Sequence, residues 1–403
     1  MIATRLEIGA VEYAARRTQL ALTLQQQELD LMVVFGPTRV AYLTGFFFAA
    51  TERPVALLLS SDGAVSVLLP DIEASHFASQ CPDLPAPVTY PEYPGGGSGR
   101  HPLQVLGAHL RQQFPQARRI AADHDGYENR WGYRGPVLSA VLETPVRVKL
   151  ELIDDQRAVK SPAEVALIRE ACRWGDHAHR LMQDAITVGS NELLVSHGAS
   201  LQATREMLES LGDAYVPKAR EGLPANTMFI TGANTAYPHG LHRNTGVRVS
   251  DVLVTGAYGT VGGYESELER TMHVGEPTLQ FVEYFEAMVA AQDVALQAIR
   301  PGRTCASVET EVRQFIRDEL GLDHLVRHHT GHAFGLEGHE HPFLDLDDPT
   351  PILPGMIFSV EPGLYVPDLA GFRHSDTIVV TEDGAERLSL YPRDLDSLII
   401  HPA

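Results

Sequence analysis

Six of the 18 histidines fall between His324 and His341, and crowding of that density is the first place to look for chemistry. His328 and His332 stand four apart, the spacing that would put two imidazoles on one helix face as metal ligands. Thr330 and Gly331 lie between them and make a helix poor. Upstream, Glu265, Glu267 and Glu269 alternate with Ser266 and Leu268. On a strand the three carboxylates would share one face, and like charges so placed raise each other's pKa unless a cation sits among them. A solvated acidic sheet edge is the plain alternative. The apolar run from Met356 to Val360 ends in Glu361, which Pro362 holds at a fixed backbone angle. Asn234 to Gly240 presents His239 on a turn beside Pro238. Carboxylates and imidazoles brought together can hold a metal or move protons near neutral pH.

These groups need a frame, and 403 residues exceed what one core usually serves, so two domains are expected. Residues 11–28 space Tyr13, Ala14, Leu20 and Leu24 as an amphipathic helix. Short apolar runs follow at 31–35, 55–59 and 65–69, with Asp62-Gly63 marking a hairpin, then a helix over 103–114 and a strand over 119–122. The stretch from Pro94 to Gly99 lacks the Gly-Lys-Ser/Thr ending of a phosphate-binding loop and is read as a flexible surface loop. Ser161-Pro162-Ala163-Glu164 is a helix start with a capping box. The boundary is therefore placed at 157, with an α/β domain over 1–157 and an α+β domain over 158–403. In the second domain, helices over 161–185, 192–210, 278–299 and 304–320 alternate with strands near 226–231, 251–258, 263–273, 356–361 and 374–381.

Composition narrows the partners. With 32 basic against 52 acidic side chains the formal net charge is -20, which would repel a phosphate backbone and argues against nucleic acid. No run of about 18 apolar residues offers a membrane span, and no signal-peptide pattern opens the chain. The three cysteines, Cys81, Cys172 and Cys305, lie far apart, which fits a reducing compartment and a cytoplasmic protein.

Several motifs occur in a fixed order: Thr231-Gly232-Ala233-Asn234 with Pro238-His239, then Thr330-Gly331-His332-Ala333-Phe334-Gly335 with His339-Glu340, then Glu361-Pro362-Gly363, then Asp376-Thr377 before Thr381-Glu382-Asp383-Gly384. In that order they resemble the pita-bread hydrolase family of prolidase, aminopeptidase P, methionine aminopeptidase and creatinase. The resemblance spans the whole chain and implies a pita-bread C-terminal domain with a smaller α/β creatinase-type domain before it. It also implies a homodimer. In the family's peptidases two Asp, one His and two Glu hold two divalent ions. Carried over, those places fall on Gly256, Glu267, His332, Glu361 and Ser375, so two carboxylates are lost and one is lengthened. Asp376 cannot replace Ser375, because neighbouring strand residues point to opposite faces.

Creatinase is the metal-free branch, and Leu268-Glu269-Arg270-Thr271 resembles its Leu-Glu-Arg-Thr. The leading expectation is thus a creatinase-like hydrolase of a C–N bond in a small cationic or amidine-bearing metabolite, with no cofactor. His239 would be the acid/base, and Glu269, Glu267 and Glu361 would anchor the cation. His332 and His339 would orient water or a carboxylate, and Arg373 would pair with a carboxylate of substrate or protein. The alternative is an Xaa-Pro dipeptidase with one manganese or zinc ion on Glu267, His332 and Glu361. A second alternative is an inactive small-molecule-binding homologue.

Overall fold

The structure is a computed structural model and describes residues 5–91, 100–127 and 132–402. The glycine-rich stretch at 94–99 lies outside the described residues. The chain divides into two compact units, one built mainly from residues 8–156 and the other mainly from 157–217 and 221–403.

The first unit holds helices α1 (Ala10–Gln26), α2 (Pro37–Thr44), α3 (Ala74–Gln80), α4 (Pro102–Gln113) and α5 (Leu138–Leu142). Its sheet runs β4-β3-β2-β1-β5-β6, from β1 (Leu31–Val34), β2 (Ala56–Ser60), β3 (Val65–Pro70), β4 (Val88–Tyr90), β5 (Ile120–Ala122) and β6 (Val146–Val148). The Asp62-Gly63 turn joins the antiparallel pair β2–β3, with Gly63 at φ +89° as that turn requires. Leu31, Val33, Leu58, Leu68, Leu103, Leu106 and Leu110 fill the core between this sheet and α4. Helix α6 (Glu151–Ala158) leads out of this unit.

In the second unit, Ser161 caps α7 (Pro162–Ala185) by accepting from the Glu164 amide, and the Glu164 carboxylate closes the box on the Ser161 amide. The other oxygen of Glu164 accepts the Tyr264 hydroxyl at 2.8 Å, so one cap fixes both a helix start and a strand near the acidic row. Beyond α7 come α8 (Glu192–Leu211), β7 (Ala225–Thr231), β8 (Val252–Val261), β9 (Tyr264–Glu265), β10 (Leu268–Val274), α9 (Leu279–Ala298) and α10 (Cys305–Asp318). The remaining strands are β11 (Gly331–Ala333), β12 (Glu340–Leu344), β13 (Ile357–Val360), β14 (Gly363–Val366), β15 (Ala370–Arg373), β16 (Ser375–Val380), β17 (Ala385–Arg387) and β18 (Ile399–Ile400).

The large sheet runs β12-β11-β13-β16-β10-β8-β7, with β9, β17 and β18 added at its sides, and α7 and α8 pack against β7 and β8. Gly259 is required at that packing, because a Cβ there would stand 2.0 Å from the Ala171 carbonyl oxygen of α7. The α+β pita-bread class expected from the sequence is the fold observed. His328 and His332 are not on a helix: His332 lies in β11, whose partners are β12 and β13.

On the far side of the sheet from Ser375, Arg270 and Asp376 pair at 2.8 Å, both with no solvent exposure. The guanidinium also donates to the carbonyls of Glu269, Ser375, Tyr391 and Pro392. Asp376 further accepts from Ser389 and Gln292. A buried pair with every donor matched locks β10 against β16 and so sets which side chains face the site. Among the described residues, no helix is long and apolar enough to cross a membrane.

Candidate active site

The sheet register brings the chemistry together. Gly256 of β8 stands directly opposite Glu269 of β10, and Glu269 stands opposite Ser375 of β16. Cross-strand partners share a face, with Cβ atoms about 4.5–5.5 Å apart. Glu269 therefore sits between Gly256 and Ser375, the two positions at which the family resemblance would place carboxylates. Glu361 follows β13, its amide donating to the Thr330 carbonyl at 2.8 Å, and His332 comes from the neighbouring β11. Ligand atoms of Glu267, His332 and Glu361 lie within 4.8 Å of one another. His332 Nε2 is 3.4 Å from Glu361 and 3.7 Å from Glu267.

The electrostatics follow from this crowding. Burial opposes charge on His332, but its bond to Glu361 and the charges of Glu267 and Glu361 raise it to about 9. Glu361 feels the same burial, and His332 and Arg373 outweigh it and hold the carboxyl down at about 2. Burial and the neighbouring Glu361 push Glu267 up. Ser359 and Ser375 both donate to one oxygen of Glu267, at 2.7 and 2.9 Å, and fix its orientation.

Glu269 meets a different partner from the one the sequence suggested. Arg373 grips it with two parallel bonds, Nε to Oε2 and Nη2 to Oε1 at 2.6 Å. The other nitrogen of Arg373 donates to the Tyr365 hydroxyl at 3.0 Å and the Pro238 carbonyl at 3.1 Å. Burial disfavours this guanidinium, but Glu269, Tyr365 and Glu361 more than offset it and keep it protonated. The cation that Glu269 holds is thus the protein's own. Arg373 spends four hydrogen bonds inside the protein, so it orders the site more than it reaches outward.

The histidines separate into layers. His339 stacks on His332 with ring centroids 3.6 Å apart. His328 bonds the Tyr365 hydroxyl at 2.7 Å and extends the Arg373 network. His239 is exposed, on a loop tied by Asn234 donating to the Leu241 carbonyl at 2.8 Å, and burial and then the neighbouring His332 lower the pKa of His339. Glu265 ends β9 half-buried and is raised to about 7 by burial and by the charges of Glu267, Glu340 and Glu337. The turn that carries His339 is held by Glu340, which is paired to Arg157 at 2.5 Å and Lys160 at 3.3 Å.

Sequence reasoning missed Tyr258. Its hydroxyl stands 3.0 Å from where a Cβ on Gly256 would be. Burial, and then the charges of Glu269, Glu267 and Glu361, hold the phenol well above its usual pKa. The signal was available: two residues along one strand share a face, so position 258 had to point where 256 points.

A pair of divalent ions does not fit these residues. Such a pair needs bridging carboxylates on both sides. Position 256 has no side chain, the Ser375 hydroxyl is tied to Glu267 and Ser359, and Glu269 is bound by Arg373. One ion does fit, since Glu267, His332 and Glu361 give the three protein donors on which catalytic zinc sites manage.

Residues 16–134 match the creatinase/prolidase N-terminal domain. A "Xaa-Pro dipeptidase" of Pyrococcus furiosus is 32% identical over 245 residues, covering 61% of this chain and 67% of that protein. A "Probable dipeptidase PepE" of Mycobacterium tuberculosis is 28% identical over 385 residues, covering 95% of this chain and 96% of that protein. The crystal structure of dipeptidase PepE from Mycobacterium ulcerans superposes with a TM-score of 0.82 at 26% identity, over 98% of this chain and 100% of that one. These relatives are peptidases, and they overturn the expectation of a creatinase-like hydrolase of a cationic metabolite. The physical reason is the Glu269–Arg373 pair, which occupies the carboxylate meant to bind that cation. The expectation of no cofactor is likewise unsupported, given the three converging donors. Residues 166–382, more than half of the chain, match metallopeptidase family M24, and the chain is a hydrolase that belongs to that family.

Proposed function

We propose that the chain is a dipeptidase that cleaves the amide of dipeptides, Xaa-Pro among them, with one divalent ion held by Glu267, His332 and Glu361. The observation that carries this reading is the convergence of those three donors within 4.8 Å, in a chain whose relatives are named dipeptidases. Such an ion, when bound, supplies Lewis-acid polarisation of a carbonyl and a more acidic water. Ser359 and Ser375 keep Glu267 turned toward the site. Glu361 accepts the proton of the attacking water, and its second oxygen is steadied by Arg373 at 3.7 Å. His339, with His239 at the rim, supplies the proton that the leaving nitrogen needs. Arg373 and Glu269 neutralise each other and keep the acidic ring from repelling a dipeptide carboxylate.

The same reading includes a domain boundary at 157, supported by the division of the chain there and by the capping box at Ser161. A cytoplasmic location is supported by three buried, unpaired cysteines. A homodimer rests on the family resemblance alone.

A panel of dipeptides, with and without proline in the second position, tests the function with manganese-loaded protein. Turnover is expected on at least one of them, lost on chelation and restored by manganese. Turnover that persists after chelation, or a panel with no substrate in it, would overturn the reading.

A further inference from the structure

Gly256 and Tyr258 together bring one more polar group to the site. Alternation along β8 puts Gly256 and Tyr258 on one face, and the Tyr258 hydroxyl stands 3.0 Å from the Cβ position of Gly256. A Cβ at 256 would crowd that hydroxyl, which would have to give by a few tenths of an ångström. Glu269 lies directly across from Gly256, and the phenol feels the charges of Glu269, Glu267, Arg373 and Glu361. Three other donors there are committed: Ser375 to Glu267, Ser359 to Glu267, and Arg373 to Glu269, Tyr365 and Pro238. Among the described residues, the half-buried Tyr258 hydroxyl makes no hydrogen bond within the protein. A phenol keeps its proton at neutral pH and offers one O–H donor.

We propose that Tyr258 is a catalytic residue, its hydroxyl donating to the scissile carbonyl oxygen as that oxygen gains negative charge. The proposal rests on the dipeptidase reading above. Water adds to the carbonyl carbon and gives one proton to Glu361. The carbonyl electrons move onto the oxygen, which Tyr258 holds by a hydrogen bond. The oxygen's electrons then return, the C–N bond breaks, and the nitrogen leaves with a proton from the site histidines. Tyr258 keeps its own proton throughout. A neutral donor thus serves where the missing carboxylates forbid a second ion, and preorganised donors at a developing oxyanion are among the larger catalytic terms.

Tyr258→Phe keeps the ring and removes only the donor. In the manganese-loaded protein kcat is expected to fall by about 10²–10³, as for loss of one oxyanion donor, with KM and manganese affinity unchanged. Calorimetry gives a readout that needs no turnover. The probe is a phosphinic dipeptide analogue, whose tetrahedral phosphinate replaces the scissile amide. Tyr258→Phe should weaken its binding by about 10- to 100-fold while leaving affinity for the planar dipeptide unchanged. Equal phosphinate binding by parent and variant, or none by the parent, overturns the proposal. A parent that binds the phosphinate yet cleaves no dipeptide sinks the dipeptidase reading, and Tyr258 is then decided on binding alone.

Discussion

Glu361→Gln is expected to weaken manganese binding by more than the roughly 10–100-fold that loss of a group supporting a metal ligand costs. The amide is nearly isosteric, and the backbone at 361 stays pinned by Pro362 and by the Glu361 amide bonded to Thr330. What disappears is the charge that faces His332 at 3.4 Å and Arg373 at 3.7 Å. Only Glu267 and His332 then remain of the three donors. Dipeptide turnover should fall by about 10²–10⁴ as well, because the same change removes the proton acceptor. Titration calorimetry and steady-state kinetics read the two losses separately. Manganese affinity equal to that of the parent would remove Glu361 from the ligand set.

The largest effect on stability is expected at a residue that touches no substrate. Asp376→Ala leaves the Arg270 guanidinium in a place with no solvent exposure and takes away its charge partner. It also strands the Ser389 hydroxyl, while the Gln292 amide keeps the Val360 and His374 carbonyls as acceptors. Breaking a buried pair from one side costs about 3–5 kcal/mol. At roughly 2–4 °C per kcal/mol, the melting temperature should fall far enough for calorimetry to read easily. Arg270→Met combined with Asp376→Leu should recover part of that loss, since the uncompensated charge is then gone. A single variant that melts with the parent would mean that the pair does not hold β10 to β16.

The long helices and the longer strands of the second unit were legible from caps and apolar runs, whereas the short strands β11, β12, β14, β15, β17 and β18 were not. Ser161 and Glu164 announce α7, and Pro362 closes the strand that carries Glu361. The period of two also separated Ser375, which faces the site, from Asp376, which faces Arg270. What the sequence hid was pairing across distance. Arg373 lies 104 residues from Glu269 in the chain, so Glu269 looked free to hold a foreign cation. That single unseen bond led to the wrong substrate class. Tyr258 was missed for another reason: an aromatic residue in a strand reads as core, although its place two residues from Gly256 puts it on the face that the register sets against Glu269. The crowding at 256 matters here too. An aspartate placed there would require the Tyr258 hydroxyl to shift by a few tenths of an ångström.

The proposed site takes one ion, on Glu267, His332 and Glu361, with no carboxylate at Gly256 or Ser375 to hold a second. Manganese stoichiometry tests it most directly, by elemental analysis of the loaded and desalted protein together with a calorimetric titration. One equivalent per chain, lost in Glu361→Gln, is the predicted result. Two tightly held equivalents per chain would contradict it.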